Sequence, residues 1–123
     1  MPSSSTLPTK DESSISDILE AVTVLRSNLA RVTPSPAEKV ALYRAVLITS
    51  DGKYGRNSPE ACLAAQNLAL TLRSRSKGED KEERQATFKE VKGLARRLVA
   101  SYSKLGRQYE GDMKLWKGWL SRN

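Results

Sequence analysis

The chain has 123 residues, 38% hydrophobic and 28% charged, which is enough for one modest core and too few for two ordinary domains. It contains no histidine and one cysteine, which excludes an intrachain disulfide, imidazole general-base catalysis and histidine-based zinc sites. We therefore expect a protein that is not an enzyme, with no catalytic residues, no metal site and no cofactor. No apolar run approaches the roughly 18 residues that a membrane-spanning helix needs, so we expect no transmembrane segment.

The formal net charge of +7 is concentrated in the last third of the chain. Residues 1–34 carry three basic and four acidic side chains, whereas residues 84–123 carry ten basic and three acidic ones. This asymmetry indicates an anionic partner, which can be nucleic acid, anionic lipid headgroups or an acidic protein. The alternative is that the lysines and arginines only keep a long exposed helix soluble.

The N-terminal part divides into a tail and a helix. Residues 1–12 are predicted to form a disordered tail, since the first nine are rich in Ser, Thr and Pro, and residues 13–123 to form a single helical domain. Apolar residues at alternating spacings of three and four then form one stripe along about five helical turns. This spacing fits either a helix of an intrachain bundle or a coiled-coil pairing with a second copy in a homodimer. The stripe consists of Ile15, Ile18, Val22, Leu25, Leu29 and Val32.

Two serine–proline pairs mark the starts of the next two helices. Ser35 can cap a helix that has Pro36 at its first position and runs to about residue 50. Ser58 and Pro59 repeat the signal for a helix to about residue 76. The intervening residues 51–57 include two glycines and are predicted to be a loop. The lone Cys62 falls on the small inner face of the third helix, where packing is its expected role.

The fourth helix is predicted to begin near Asp80, to extend as far as Tyr109 and to carry a basic face. Gly93 and Gly106 each weaken it by roughly 1 kcal/mol relative to Ala, which indicates either close approach of another group or local fraying. The cations lie away from the apolar stripe of this helix, in a band that can meet a row of phosphates or an acidic helix. The basic face consists of Lys89, Lys92, Arg96, Arg97, Lys104 and Arg107.

Residues 113–120 hold both tryptophans beside two lysines. Three interpretations are open for this segment: a short helix that closes the bundle, an interfacial membrane contact, or stacking on bases. No strand-like alternation bounded by turns occurs in the sequence. The predicted fold class is therefore all-α, a small antiparallel bundle of about four helices joined by short loops and preceded by the disordered tail.

Residues 39–47, which read Lys-Val-Ala-Leu-Tyr-Arg-Ala-Val-Leu, resemble the start of the LYR-motif family of small mitochondrial proteins. That family is a three-helix bundle with a long basic last helix, and residues 36–109 are similar in helix order and approximate length. The resemblance implies a mitochondrial-matrix adaptor or assembly factor whose helices receive the acylated arm of acyl carrier protein, while its basic residues bind the acidic helix of the carrier. It assigns the partner contact to Leu42, Tyr43 and Arg44, with Arg73 as a second contact.

Two functions follow as hypotheses from the sequence. The first is a non-enzymatic helical adaptor or assembly factor that binds an acidic partner, such as an acyl carrier protein, through its basic helical face. The alternative is a basic helical protein that binds the backbone of double-stranded RNA, as a dimeric viral silencing suppressor would in the cytoplasm of an infected host cell. A purely structural subunit that packs its basic side against a partner is the remaining interpretation.

Overall fold

The computed structural model describes the backbone of residues 3–123 and the side chains of residues 15–123. The predicted disordered tail, residues 1–12, lies outside the residues that are described in full. No strand occurs in the described part of the chain, so the predicted all-α class is confirmed. The helices are α1 (Ser3–Val32), α2 (Pro36–Tyr54), α3 (Pro59–Arg75), α4 (Lys81–Leu105) and α5 (Glu110–Arg122).

Each helix packs against the helices that precede and follow it in the chain. The backbone contacts join α1 to α2, α2 to α3, α3 to α4 and α4 to α5. Because the connections are only a few residues long, successive helices run antiparallel. The result is a helical bundle in which α3 and its small residues lie against the core.

Side-chain caps fix the starts of the three middle helices, at Ser35 and Ser58 as the sequence predicts and also at Asp80. The hydroxyls of Ser35 and Ser58 and the carboxylate of Asp80 each accept a hydrogen bond from the backbone N–H three residues later. Such a cap satisfies one of the backbone donors that the first turn of a helix leaves unpaired. The starts of α2, α3 and α4 are therefore determined by local chemistry.

The ends of α2 and α4 differ from the prediction. α2 continues beyond residue 50 to Tyr54 and ends at Gly55, which has a φ of 96° and donates its N–H to the carbonyl of Asp51 at 3.1 Å. The predicted single helix to Tyr109 is wrong, because Gly106 adopts a φ of 104° that breaks the chain direction after α4. A 3-10 turn and α5 follow, so the bundle has one helix more than the four predicted. Both glycines occupy a left-handed region that other residues rarely adopt.

Both tryptophans lie on the inner side of α5. Trp116 is 2% exposed and Trp119 is 8% exposed, and both join the main hydrophobic cluster with Leu72, Leu98 and Tyr102. The two indole rings meet edge to face, with their centroids 6.2 Å apart. α5 thus closes the bundle, and its aromatic side chains extend the core.

One polar side chain links three helices within this core. Gln66 on α3 accepts hydrogen bonds at its Oε1 from the hydroxyl of Tyr102 on α4 and from Nε1 of Trp116 on α5, each at 3.1 Å. Both donors belong to buried residues, so neither can exchange this partner for bulk water. The amide oxygen therefore satisfies two donors whose loss of a partner would cost free energy.

α1 presents to the bundle a face other than its apolar stripe. Its buried residues are Thr23 and Ala30, while Ile18, Leu25 and Val32 are 61%, 67% and 76% exposed. The hydroxyls of Thr23 and Thr49 lie 2.8 Å apart. α1 thus packs on α2 within the bundle, while five of its six stripe residues stay exposed in the single chain.

We expect Gln66→Leu to lower the free energy of unfolding by about 2 kcal/mol, because it leaves the Tyr102 hydroxyl and the Trp116 N–H without their acceptor. Urea denaturation followed by circular dichroism measures the loss. Gln85→Leu is the matched control, since Gln85 is an exposed helical residue on α4 and its replacement should change stability by no more than about 0.5 kcal/mol. Equal effects of the two changes would contradict the role of Gln66.

Burial raises the pKa of Tyr102 to about 12, with the nearby Cys62 and Asp112 adding to the shift. The neutral phenol is thus favoured in the folded protein, where its pKa lies above the ordinary value near 10. Its contribution to stability is complete below pH 10 and is lost as the pH rises from 10 to 12. We expect unfolding free energies measured over this interval to fall less steeply in Tyr102→Phe than in the wild type, and identical slopes would contradict the assignment.

Candidate docking groove between helices 2 and 4

An open groove with a volume of about 500 Å³ lies between α2 and α4. Its floor is aliphatic, and Leu68 on α3 lies at the bottom of it. Ile48 at its edge is 71% exposed and adds aliphatic surface that a partner could cover. The remaining aliphatic lining comes from Leu47 and Leu94.

Arg44, the last residue of the Leu-Tyr-Arg tripeptide, lies on the rim of this groove. Its guanidinium forms a two-point pair with the carboxylate of Glu90 on α4, with Nη1 to Oε2 at 2.7 Å and Nη2 to Oε1 at 2.8 Å. The Arg44 side chain is nevertheless 48% exposed. An exposed pair of this kind contributes little stability, so Arg44 can exchange its partner at small cost.

Arg97 also lines the groove but is held much more firmly. It pairs with both carboxylate oxygens of Asp51 on α2 and donates to the backbone carbonyl of Arg56 at 3.1 Å. Only 11% of its side chain is exposed. Arg97 therefore joins α2 to α4 from within and is not a member of the outward basic face, where the sequence pattern had put it.

Gly93 leaves a gap in the α4 wall of the groove. No heavy atom lies within 4 Å of the position that a Cβ would occupy there, so no close approach within the described chain requires this glycine. A glycine in the middle of an α-helix costs stability relative to alanine. The gap widens the groove beside Arg44 and Arg56.

The other predicted cations of α4 form an outward band. Lys89, Arg96 and Lys104 are exposed, and Arg107 is exposed just beyond the helix end. These four form no ion pair with residues of the described chain. Lys89 and Lys104 lie about 22 Å apart along the helix, from its rise of 1.5 Å per residue. Lys92 is half-buried, with its Nζ 4.6 Å from the centre of the Phe88 ring.

The structure separates the residues that the resemblance assigned to partner contact. Tyr43 is 5% exposed and belongs to the core, and Leu42 is partly buried against it. Arg73 lines a different cavity beside α5, with its guanidinium 5.3 Å from the Trp119 ring centre. Of the four residues, Arg44 alone lines the α2–α4 groove.

Sequence reasoning missed two charged residues that line the groove, Arg56 and Glu90, and also Asp51, which pairs with Arg97. The sequence places Asp51 in the predicted loop 51–57, because Gly52 indicates that α2 has already ended. A helical continuation would have put Asp51 on the same face as Arg44, since the two residues are seven positions apart. In the sequence, Glu90 counts only as one of the three acidic residues of the basic C-terminal third, and nothing there indicates that it pairs with Arg44.

The lone thiol is a packing group. Cys62 is 2% exposed, and burial raises the pKa of its thiol above the ordinary value.

Among the residues described, no three potential ligands are grouped to hold a metal ion. No helix in that part of the chain is long and apolar enough to cross a membrane.

Comparison with known proteins finds no matching family model, no similar curated protein and no similar solved structure.

The two arginine–carboxylate pairs should contribute very differently to stability. We expect Asp51→Ala to lower the unfolding free energy by about 2 kcal/mol, because it leaves the nearly buried guanidinium of Arg97 unpaired. Glu90→Ala should cost at most about 1 kcal/mol, because Arg44 regains water. Urea denaturation of both variants checks the difference, and a larger loss for Glu90→Ala would contradict it.

Proposed function

We propose that this protein is a non-enzymatic helical adaptor that binds an acidic, amphipathic helix of a partner protein in the groove between α2 and α4. The observation that carries the proposal is an aliphatic groove floor with the exposed cations Arg44 and Arg56 on its rim. Amphipathic helices bind in apolar grooves through their apolar side chains, which are spaced by three and four residues. The carboxylates of such a helix would then meet the cations at the rim.

The apolar and charged parts of the groove have distinct roles in the proposed complex. Ile48 and Leu47 offer the partner aliphatic surface on α2, and the gap at Gly93 leaves room on α4. Burial of this surface supplies the hydrophobic part of the binding free energy. The outward cations, such as Lys89 and Arg96, attract an acidic partner over a longer range and set the rate of association.

Arg44 is suited to change partners on binding. The pair is partly exposed to water, with 48% of the Arg44 side chain and 32% of the Glu90 side chain accessible, so water can solvate both charges when the pair is released. A carboxylate of the bound helix can then take the place of Glu90. Arg97 stays on Asp51 and keeps the two walls of the groove together.

The similarity to LYR-motif proteins agrees with this proposal in one respect. Arg44, from the Leu-Tyr-Arg tripeptide, is on the groove rim, and an acyl carrier protein is the acidic partner that the similarity suggests. We include that partner and the mitochondrial matrix in the proposal. Tyr43 is buried in the core, so the proposal gives this tyrosine a role in packing and none in contact with the partner.

Double-stranded RNA is the second candidate ligand, and the outward band on α4 supports it. A line of unpaired cations about 22 Å long can bind a row of phosphates and release counterions. The phosphates would contact Lys89, Arg96 and Lys104 and would gain nothing from contact with an aliphatic groove floor. The two candidates therefore predict different sensitivities to mutation.

We expect Gly93→Phe to weaken binding of acylated acyl carrier protein at least about tenfold, because the aromatic ring fills the groove without removing a charge. Isothermal titration calorimetry measures the affinity. Gly111→Phe is the matched control, as Gly111 is an exposed helical glycine on α5 with no heavy atom near its Cβ position. It should leave the affinity unchanged.

Gly93→Phe, together with a variant of the outward band, distinguishes the two candidate ligands. Binding of random duplex RNA, measured by gel shift across a salt series, would be insensitive to Gly93→Phe and weakened by Arg96→Glu combined with Lys104→Glu. That pattern, together with no binding of the carrier protein by the wild type, would overturn the adaptor proposal in favour of RNA.

A further inference from the structure

The apolar stripe of α1 runs along five helical turns and is exposed at every position except Val22, which is half-buried. Ile15, Ile18, Leu25, Leu29 and Val32 are between 50% and 76% exposed, and no side chain of residues 15–123 covers them. Single exposed aliphatic residues are ordinary on protein surfaces. A continuous stripe of this length marks an interaction surface.

If α1 packed only within its own chain, its large aliphatic side chains would be expected on the side that faces the bundle. Its bundle-facing side is mostly polar or small: Lys53 on α2 donates to the hydroxyl of Ser16 at 2.6 Å, and Thr23 contacts Thr49. Ala30 is fully buried, and Leu19 and Val22 are half-buried. The other five aliphatic side chains of the stripe are exposed, so they add little to the stability of a single chain.

We propose that the α1 helices of two copies pair antiparallel through this stripe and make the protein a homodimer. The stripe is a heptad repeat in which Ile15, Val22 and Leu29 occupy the first position and Ile18, Leu25 and Val32 the fourth. These are the positions that pack in a two-stranded coiled coil. The proposal does not depend on the adaptor function, which uses the groove between α2 and α4.

The stripe is symmetric in the antiparallel direction. A two-fold axis level with the peptide between residues 23 and 24 puts Ile15 opposite Val32 of the second copy and Ile18 opposite Leu29 of the second copy. The central layer then pairs Val22 with Leu25 of the second copy. Every layer joins a first-position residue to a fourth-position residue, and none of the six is left without a partner.

The charges of α1 favour the same direction. The acidic residues Asp17 and Glu20 lie in the first half of the stripe, and the basic residues Arg26 and Arg31 lie in the second half. Antiparallel pairing brings the acidic half of one copy beside the basic half of the other. Parallel pairing would put like charges and like helix ends together.

The bundle leaves room for a second helix. The buried residues Thr23 and Ala30 each follow a stripe residue by one position, which is a rotation of about 100° around the helix. α1 makes its backbone contacts with α2 alone, so its stripe side is open within the described chain. The body of each copy therefore lies to the side of the proposed interface.

Light scattering coupled to size exclusion tests the dimer with the full chain. We expect a mass of twice 13.6 kDa for the wild type. Leu25→Glu puts a charge in the central layer and should raise the dimer dissociation constant by about 100-fold or more, with helix content unchanged because Leu25 is exposed in the single chain. Ile48→Glu is the control, since Ile48 is equally exposed but lies outside the stripe, and it should remain dimeric.

The orientation is tested by distances between spin labels, one per copy, in a Cys62→Ala background. Val24→Cys places the two labels level with the axis, whereas Asp17→Cys separates them by about 20 Å along the helices, at 1.5 Å per residue. We therefore expect a longer distance for position 17 than for position 24.

Three outcomes would overturn the proposal. The first is a wild type that is monomeric at every concentration, including one that instead binds anionic vesicles through the stripe. The second is a dimer that Leu25→Glu leaves intact or that Ile48→Glu disrupts equally. The third is equal distances at positions 17 and 24, which would indicate parallel pairing.

Discussion

The packing of the C-terminal half of the structure depends on the two hydrogen bonds that the amide oxygen of Gln66 accepts. This oxygen accepts from Tyr102 on α4 and Trp116 on α5, so one atom of α3 joins both later helices with their aromatic sides facing the core. Because Tyr102 must point inward, the cations on the other side of α4 must point outward. The same bond that keeps a buried donor satisfied therefore also fixes the direction of the basic band.

The positive charge of the protein has two separate uses. Arg97 is nearly buried on Asp51 and joins α2 to α4, which shapes the groove between them. Lys89, Arg96 and Lys104 form no ion pair within the described chain and face solvent, where they are available to a partner. Arg44 is intermediate, since it is paired but half exposed. A count of charges by sequence position cannot distinguish these cases, because it ignores which cation meets a carboxylate.

Features with a local cause could be predicted from the sequence, and features with a distant cause could not. The starts of α2 to α4 follow from a capping side chain and the residues beside it. The break at Gly106 is not evident in the sequence, because Tyr109 keeps the helical spacing of apolar residues beyond it. In the structure Tyr109 lies after the end of α4 and still stacks on Tyr102, with ring centres 5.5 Å apart. The groove requires Arg97 to meet Asp51 across 46 positions of chain. No periodic pattern indicates such a pairing.

The order of helix contacts has a consequence for how the chain folds. Since each helix makes its backbone contacts with its neighbours in the chain, few distant segments must find each other, and such topologies fold on the microsecond-to-millisecond scale. α2, α3 and α4 each have a helix packed on either side, so they are the natural nucleus. Within a single copy α1 and α5 have one backbone neighbour each, so in the monomer they are the elements expected to detach first and to exchange their amide hydrogens fastest.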